Sequence, residues 1–158
     1  MKKDTLLKIL GAVAVAVLLF TGFASAGSGK DKIKPEQRLE PKALLSQLAK
    51  GAKGPKPLLL HVGFPVLYGQ AHIPGSVFAG PGNGSAGLTK LESALKGVPK
   101  DRPVVIYCGC CPWDRCPNVG PAFERTMALG YKDVKVLIIP HNLGEDWADL
   151  GYPVTAGD

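Results

Sequence analysis

Short apolar runs alternate with amphipathic segments along most of this chain. Each run is five or six residues long and rich in Val, Ile and Leu. Runs of this length and composition are typical of buried strands rather than helices. We therefore predict strands over residues 58–62, 103–107 and 134–139.

The segments between these runs carry helical spacing or helix end signals. A helix over residues 41–50 begins on a proline and places three leucines on one face. Thr89 and Glu92 have the spacing of a capping box, which predicts a helix running to Lys96. The four glycines between residues 79 and 87 predict a loop before it.

Two further helices are predicted towards the carboxyl end. One spans residues 118–129, with Asn118 as its N-cap and Gly130 as its C-cap. The other is short and spans residues 145–150. Apolar strands that alternate with helices indicate an α/β protein with a parallel sheet covered on both faces.

The amino terminus has the layout of a secretory signal peptide. Three lysines and an aspartate flank the start of an apolar run over residues 9–20, and a small-residue triplet ends at Ala26. The run is short for a membrane anchor, which needs about 20 residues. We expect cleavage near Ala26, a linker over residues 27–37 and one domain over residues 38–155. The mature protein would then be periplasmic or secreted, with no stable membrane anchor.

Composition excludes some classes of function. The chain of 158 residues carries a net charge of +6, of which +4 remains after removal of the signal peptide. The basic residues are scattered, so we expect no nucleic-acid partner. The glycine-rich segment over residues 79–87 lacks the Gly-Lys-Ser/Thr ending of a phosphate-binding loop.

The four cysteines are the clearest sign of chemistry. Cys108, Cys110, Cys111 and Cys116 fall within nine residues, directly after the predicted strand over residues 103–107. Cysteines that staple a weak core usually close long loops, where cross-linking stabilises most. In open α/β folds, reactive groups collect where strands end and helices begin. This loop is therefore the predicted site.

Five segments, taken in order, resemble the rhodanese-like domain family over roughly residues 38–155. They are LLHV at 59–62, AHIPGS at 71–76 (similar to the family's GHIPGA), VVIYC at 104–108, GYKDVKVL at 130–137, and Trp147 with GYPV at 151–154. The resemblance implies a three-layer α/β/α fold with a central parallel sheet.

The resemblance also implies sulfur transfer. Cys108 occupies the position of the family's nucleophile, which takes a sulfane sulfur as a persulfide and passes it on. The expected donor is a small sulfur-containing anion such as thiosulfate. The expected acceptor is a thiol reductant or an acceptor protein, and no cofactor or metal is required.

Other residues of the loop have predicted roles beside Cys108. Arg115 is the loop's cation, and it can hold an anionic substrate or lower the pKa of a thiol unless it pairs with Asp114 or is simply exposed. We expect Cys111 and Cys116 to be further reactive thiols. The predicted substrate-binding residues are Gly109, Cys110, Trp113 and Asn118.

The chain departs from the family pattern in two places. The loop between Cys108 and the following helix is four or five residues longer than in the sulfurtransferases. The Asp-Val-Arg that usually follows the early strand is His61-Val62-Gly63 here. His61 is either a base near the cysteine loop or a hydrogen-bonded core residue. His72 is expected to be structural, and His141 has no partner that the sequence identifies.

The extra cysteines keep alternative functions open. Thiol–disulfide exchange needs a reactive thiolate and a second, resolving cysteine, and this loop supplies both. Two or three thiolates can also bind a soft ion such as Cu(I) more easily than four can surround zinc. A fourth possibility is a structural loop in which Cys110 and Cys111 form disulfides with Cys108 and Cys116, in either order.

Overall fold

A computed structural model describes residues 32–157. The predicted signal peptide and the first part of the predicted linker lie outside the described residues. Within the described range, no helix combines the length and the apolar character needed to cross a membrane.

The core of the protein is a five-stranded parallel sheet with strand order β1-β5-β4-β2-β3. The strands are β1 (Arg38–Leu39), β2 (Leu58–His61), β3 (Ser76–Phe78), β4 (Val104–Tyr107) and β5 (Val134–Leu137). The predicted parallel α/β fold is confirmed. The sequence did not indicate β1 and β3, because two or three residues are too few to form a recognisable apolar run.

Four α-helices and two short turns cover the sheet. They are a 3₁₀ turn (Pro35–Gln37), α1 (Pro41–Leu48), α2 (Pro65–Gln70), α3 (Ser85–Ala94), α4 (Val119–Ala128) and a π-helical turn (Gly144–Ala148). Alternate residues of a strand face opposite sides of the sheet. Leu60 and Ile106 accordingly pack with α3 and α4 on one face. Leu59 and Val105 pack with α1 and the π-helical turn on the other face.

The predicted start of α3 is wrong. The helix begins at Ser85, inside the glycine-rich segment, and Thr89 does not cap it. Instead the Thr89 hydroxyl donates to the Ser85 carbonyl at 3.0 Å. Gly87 makes the early start possible, because a Cβ there would lie 1.7 Å from the Pro81 carbonyl oxygen. Gly87 therefore serves close packing within a helix, although its residue type favours a loop.

The end of the predicted linker packs onto the domain. Ile33 is 1% exposed and belongs to the core on the α3 and α4 face. The Arg38 guanidinium donates two hydrogen bonds to the Ile33 carbonyl, at 2.9 and 3.1 Å. This segment therefore contributes to the core before β1 begins.

A buried polar network joins β4 to the segment before β3. The Tyr107 hydroxyl accepts a hydrogen bond from the Ile73 N–H at 3.0 Å and lies 2.8 Å from the Ser76 hydroxyl.

His72 stacks on Tyr68, with ring centroids 3.8 Å apart, and its Nδ1 lies 2.8 Å from the Tyr68 carbonyl oxygen. These contacts agree with the structural role predicted for His72.

Removal of the Tyr107 hydroxyl tests the importance of this network. We expect Tyr107→Phe to lower the free energy of unfolding by about 1–3 kcal/mol, because the buried Ile73 N–H loses its acceptor. Urea unfolding measures the change. Tyr152→Phe is the matched control, since that hydroxyl has no hydrogen-bond partner among residues 32–157, and it should change stability by less than about 0.5 kcal/mol. Equal effects of the two variants would contradict this assignment.

Candidate functional site

The candidate site lies where β2 and β4 end side by side. His61 is in register with Tyr107, so Cys108 begins the loop beside the end of β2. Gly63 allows the two strand ends to approach closely. A Cβ on Gly63 would lie 2.9 Å from the Cys108 carbonyl oxygen and 3.1 Å from Cys108 Sγ.

The cysteine loop is held against the segment that follows β5. The Gly109 carbonyl accepts a hydrogen bond from the Leu143 N–H at 2.9 Å, and the Trp113 N–H donates to the Ile139 carbonyl at 2.9 Å. Gly109 has a φ of +80°, which favours glycine, and this turns the chain immediately after Cys108. The loop is longer than the family pattern, but backbone hydrogen bonds fix both halves of it.

The fold brings the thiols of this loop together. Cys108 and Cys116 are buried, Cys110 and Cys111 are half-buried, and all four are free thiols. Cys110 Sγ lies 3.1 Å from Cys108 Sγ and 3.2 Å from Cys111 Sγ. The sulfur atoms of Cys108, Cys110 and Cys116 all lie within 4.8 Å of one another. The two loop disulfides considered from the sequence are not present.

The neighbouring Cys108 thiol and the start of α4 favour ionisation of Cys116. Its interaction with the Cys108 thiol, followed by the backbone N–H groups of Asn118 and Val119, lowers the pKa of Cys116 to about 6. The same interaction, together with burial, raises the pKa of the Cys108 thiol. Burial and Cys110 raise the pKa of the Cys111 thiol. The backbone N–H groups at the start of α4 therefore act on Cys116.

Asn118 does not cap α4 with its side chain, which is a second correction. It stands at the N-cap position but makes no side-chain capping hydrogen bond. Its side chain is fully buried, and Nδ2 donates to Cys108 Sγ at 3.6 Å. Its Oδ1 accepts a hydrogen bond from the Asn83 N–H at 3.2 Å. Asn118 therefore fixes a polar N–H group against the predicted nucleophile.

Cys108 and Cys110 open onto a cavity of about 300 Å³ between the loop, α2 and the π-helical turn. This volume is at the lower end of the range for small-molecule sites. The lining residues are His61, Leu67, Gln70, Ala71, Cys108, Gly109, Cys110, Asn142, Leu143, Gly144, Ala148 and Val154. Most of the wall is apolar, and none of these lining residues is an aspartate, glutamate, lysine or arginine.

His61 is a neutral, buried member of the cavity wall. It is 1% exposed, and burial lowers its pKa to about 4. Its ring lies among those of Tyr68, Phe78 and Tyr107, with centroids 5.2 to 6.1 Å away. The Gly63 N–H donates to His61 Nδ1 at 3.4 Å. The contacts of His61 are those of a hydrogen-bonded core residue, and the ring also forms part of the cavity wall.

Several predicted site residues do not line this cavity. Arg115 is exposed, and its N–H donates to the Pro112 carbonyl at 3.0 Å. Trp113 packs on the core, and the Arg38 guanidinium carbon lies 5.1 Å from the centre of its ring. Cys111, Cys116 and Asn118 also lie outside the lining. Arg115, Trp113 and Asn118 are therefore not placed to contact a substrate in this cavity, although the sequence predicts this role for them.

The sequence does not indicate the other parts of the cavity wall. The residues from α2 and from the segment after β5 carry no chemical motif, because they contribute mainly apolar surface. The neighbouring positions of β2, β4 and β5 could have indicated them, since the segments after neighbouring parallel strands meet at one edge of the sheet.

His141 lies on the segment that follows β5, and its Nδ1 is 3.0 Å from Asp146 Oδ1. This partner raises the pKa of His141.

Comparisons with known proteins agree with this architecture. The family model described as "Rhodanese-like domain" matches residues 44–138. The crystal structure of the BH2092 protein from Bacillus halodurans has a TM-score of 0.58 and 23% identity, and the match covers 77% of each chain. The crystal structure of the Alr3790 protein from Anabaena sp. has a TM-score of 0.57 and 18% identity, covering 75% of this chain and 92% of the other. These likenesses show the fold, and no curated protein matches the chain.

Close contact at Gly63 gives a prediction for the site. We expect Gly63→Ala to lower the free energy of unfolding by about 1–3 kcal/mol, because the added methyl group overlaps the His61 ring and the Cys108 backbone. Thermal or urea unfolding measures this change. Gly69→Ala is the control, since nothing lies within 4 Å of a Cβ there. Equal stability of the two variants would show that the strand ends are not packed as described.

Proposed function

The chain belongs to the rhodanese-like domain family, a sulfurtransferase-type family, and we propose that it moves sulfane sulfur through a persulfide on Cys108. The position of Cys108 is the observation that supports this proposal most strongly. Cys108 combines the family's nucleophile position, directly after β4, with access to the cavity. Cys116 is closer to the α4 backbone N–H groups but does not line that cavity.

The proposed reaction has two steps. The Cys108 thiol passes its proton to the neighbouring Cys116 thiolate and attacks the outer sulfur of the donor, so that an S–S bond forms at Cys108 and the donor's own bond to that sulfur breaks. The leaving group departs with the bonding electrons, and the persulfide remains on Cys108. A nucleophilic acceptor then takes the outer sulfur and restores the Cys108 thiolate.

Two N–H groups support negative charge on the reacting sulfur. The Cys110 backbone N–H hydrogen-bonds Cys108 Sγ, and Asn118 Nδ2 donates to the same atom at 3.6 Å. Hydrogen bonds to a charged group favour the charged form. These contacts therefore stabilise both the attacking thiolate and the persulfide anion that replaces it.

The cavity supports an organic sulfur donor rather than a small dianion. Its wall is formed largely by Leu67, Ala71, Leu143, Ala148 and Val154, and His61 is neutral. No charged side chain of the described chain lines it, and Arg115 is outside. A dianion such as thiosulfate would lose its hydration there without gaining an opposite charge. A donor with an apolar group, such as an organic thiosulfonate, would bury that group against the wall.

Thiol–disulfide exchange is a second candidate function, supported by one specific contact. Cys108 Sγ and Cys110 Sγ are 3.1 Å apart and both face the cavity. A disulfide between them would make Cys110 the resolving cysteine. This function needs two cysteines, whereas sulfur transfer needs one, so substitutions separate them.

The predicted signal peptide supports action outside the cytoplasm. We propose that the domain works in the periplasm or in the secreted fraction, where disulfides persist. A thiol reductant or a partner with reduced cysteines would then be the acceptor that removes sulfur from Cys108.

Cysteine substitutions test the proposed nucleophile. With benzenethiosulfonate as donor and cyanide as acceptor, Cys108→Ser should reduce thiocyanate formation at least about 1,000-fold, because the attacking thiolate is lost. Cys111→Ser is the matched control, since Cys111 does not line the cavity, and it should retain most of the activity. Full activity of Cys108→Ser would contradict the proposal. Equal loss in Cys108→Ser and Cys110→Ser, with disulfide exchange in the wild type, would favour the second candidate.

Donor preference tests the apolar cavity. We expect kcat/KM for benzenethiosulfonate to exceed that for methanethiosulfonate by about tenfold or more, because each buried CH₂-sized group contributes about 0.8 kcal/mol. The two donors carry the same charge, and dividing each rate by the donor's uncatalysed rate with cyanide corrects for their different leaving groups. Initial rates of thiocyanate formation provide the measurement. Faster transfer from thiosulfate than from either organic donor would show that the cavity binds a dianion after all.

A further inference from the structure

Three thiols of the loop form a triangle. The sulfur atoms of Cys108, Cys110 and Cys116 lie within 4.8 Å of one another, and in the described part of the chain no other cysteine, histidine or carboxylate belongs to this group. Three sulfur atoms at about 2.3 Å from a central ion are about 4 Å apart. The 3.1 Å separation of Cys108 and Cys110 needs to widen by roughly 1 Å. Cys110 is half-buried on the loop, so rotation of its side chain can supply that change.

We propose that these three cysteines form a trigonal site for a soft monovalent ion, Cu(I). Soft thiolate ligands select Cu(I), whereas structural zinc sites are almost always completed by a fourth protein ligand. Cys111 Sγ is 3.2 Å from Cys110 Sγ but does not belong to the triangle. The His61 ring does not belong to it either. Three soft thiolate ligands are therefore of the kind and number that suit Cu(I).

Binding replaces three thiol protons by one ion. The balance is one Cu(I) and three thiols giving a complex of net charge −2 and three protons, with no change in oxidation state. The surroundings provide hydrogen-bond donors for that charge. They are the Cys110 N–H and Asn118 Nδ2 at Cys108, and the N–H groups of Asn118 and Val119 at Cys116. Outer-shell donors of this kind orient metal ligands and tune the affinity.

The burial of the site also suits a copper ion. Cys108 and Cys116 are 3% and 8% exposed, and they lie within the core on the α3 and α4 face. Cys110 opens onto the cavity, which provides an entry path. The proposed site uses the Cys108 sulfur, so Cu(I) and a persulfide on Cys108 exclude each other. The binding itself does not depend on whether the chain transfers sulfur.

Anaerobic titration tests the site. The purified, fully reduced protein is titrated with Cu(I) in competition with bicinchoninate, in the absence of any sulfur donor. We expect one Cu(I) per chain. Cys110→Ser and Cys116→Ser should each weaken binding by more than about 100-fold, which exceeds the 10–100-fold typical of losing an outer-shell partner. Cys111→Ser is the matched control: its hydroxyl can keep the outer-shell contact with Cys110, so binding should weaken by no more than about tenfold.

X-ray absorption of the wild-type copper protein tests the same claim without a substitution, because a variant of buried Cys116 can fail to fold. Three sulfur neighbours and no nitrogen neighbour are expected. Two or four sulfur neighbours, or binding that Cys111→Ser abolishes, would overturn the assigned ligands. Failure to compete with bicinchoninate would overturn the site itself. If copper binds and Cys108→Ser still transfers sulfur, the proposed function fails while this inference stands.

Discussion

The site depends on the packing of the start of α4 against the end of β4. This contact puts two thiols, Cys108 and Cys116, in the core within 4.8 Å of each other and surrounds them with N–H groups. Two buried thiols cannot both ionise at low cost, because neither is hydrated and their charges repel. Cys116, which is nearer the start of α4, ionises first. Cys108 retains its proton in the resting site and lines the cavity.

Much of the fold could be predicted because its central strands are long enough to bury a continuous apolar run. β2, β4 and β5 were found in this way, and their parallel pairing follows from the helices between them. The edge strands β1 and β3 were missed because two or three residues carry no periodicity. The start of α3 was missed for a different reason, since Gly87 serves a close contact with Pro81 that only tertiary structure shows.

The site was predicted in its position but only partly in its detail. The clustering of the cysteines after an apolar run indicated the right edge of the sheet. Sequence cannot show which way a side chain points from an irregular loop, so Arg115 was placed in the site although it faces solvent. Asn118 illustrates the opposite case. The sequence predicts that Asn118 caps α4. In the structure its side-chain amide donates to Cys108 instead, because the loop before Asn118 brings that thiol within reach.

The central claim is that Cys108 carries the sulfur, and its most direct test is peptide mass spectrometry of the reduced wild-type protein after exposure to benzenethiosulfonate. A persulfide adds one sulfur, about 32 Da, to the thiol that attacks the donor. The account predicts that this mass is found on Cys108. Added sulfur on Cys110, Cys111 or Cys116 instead, or closure of a disulfide with no sulfur retained, would contradict it.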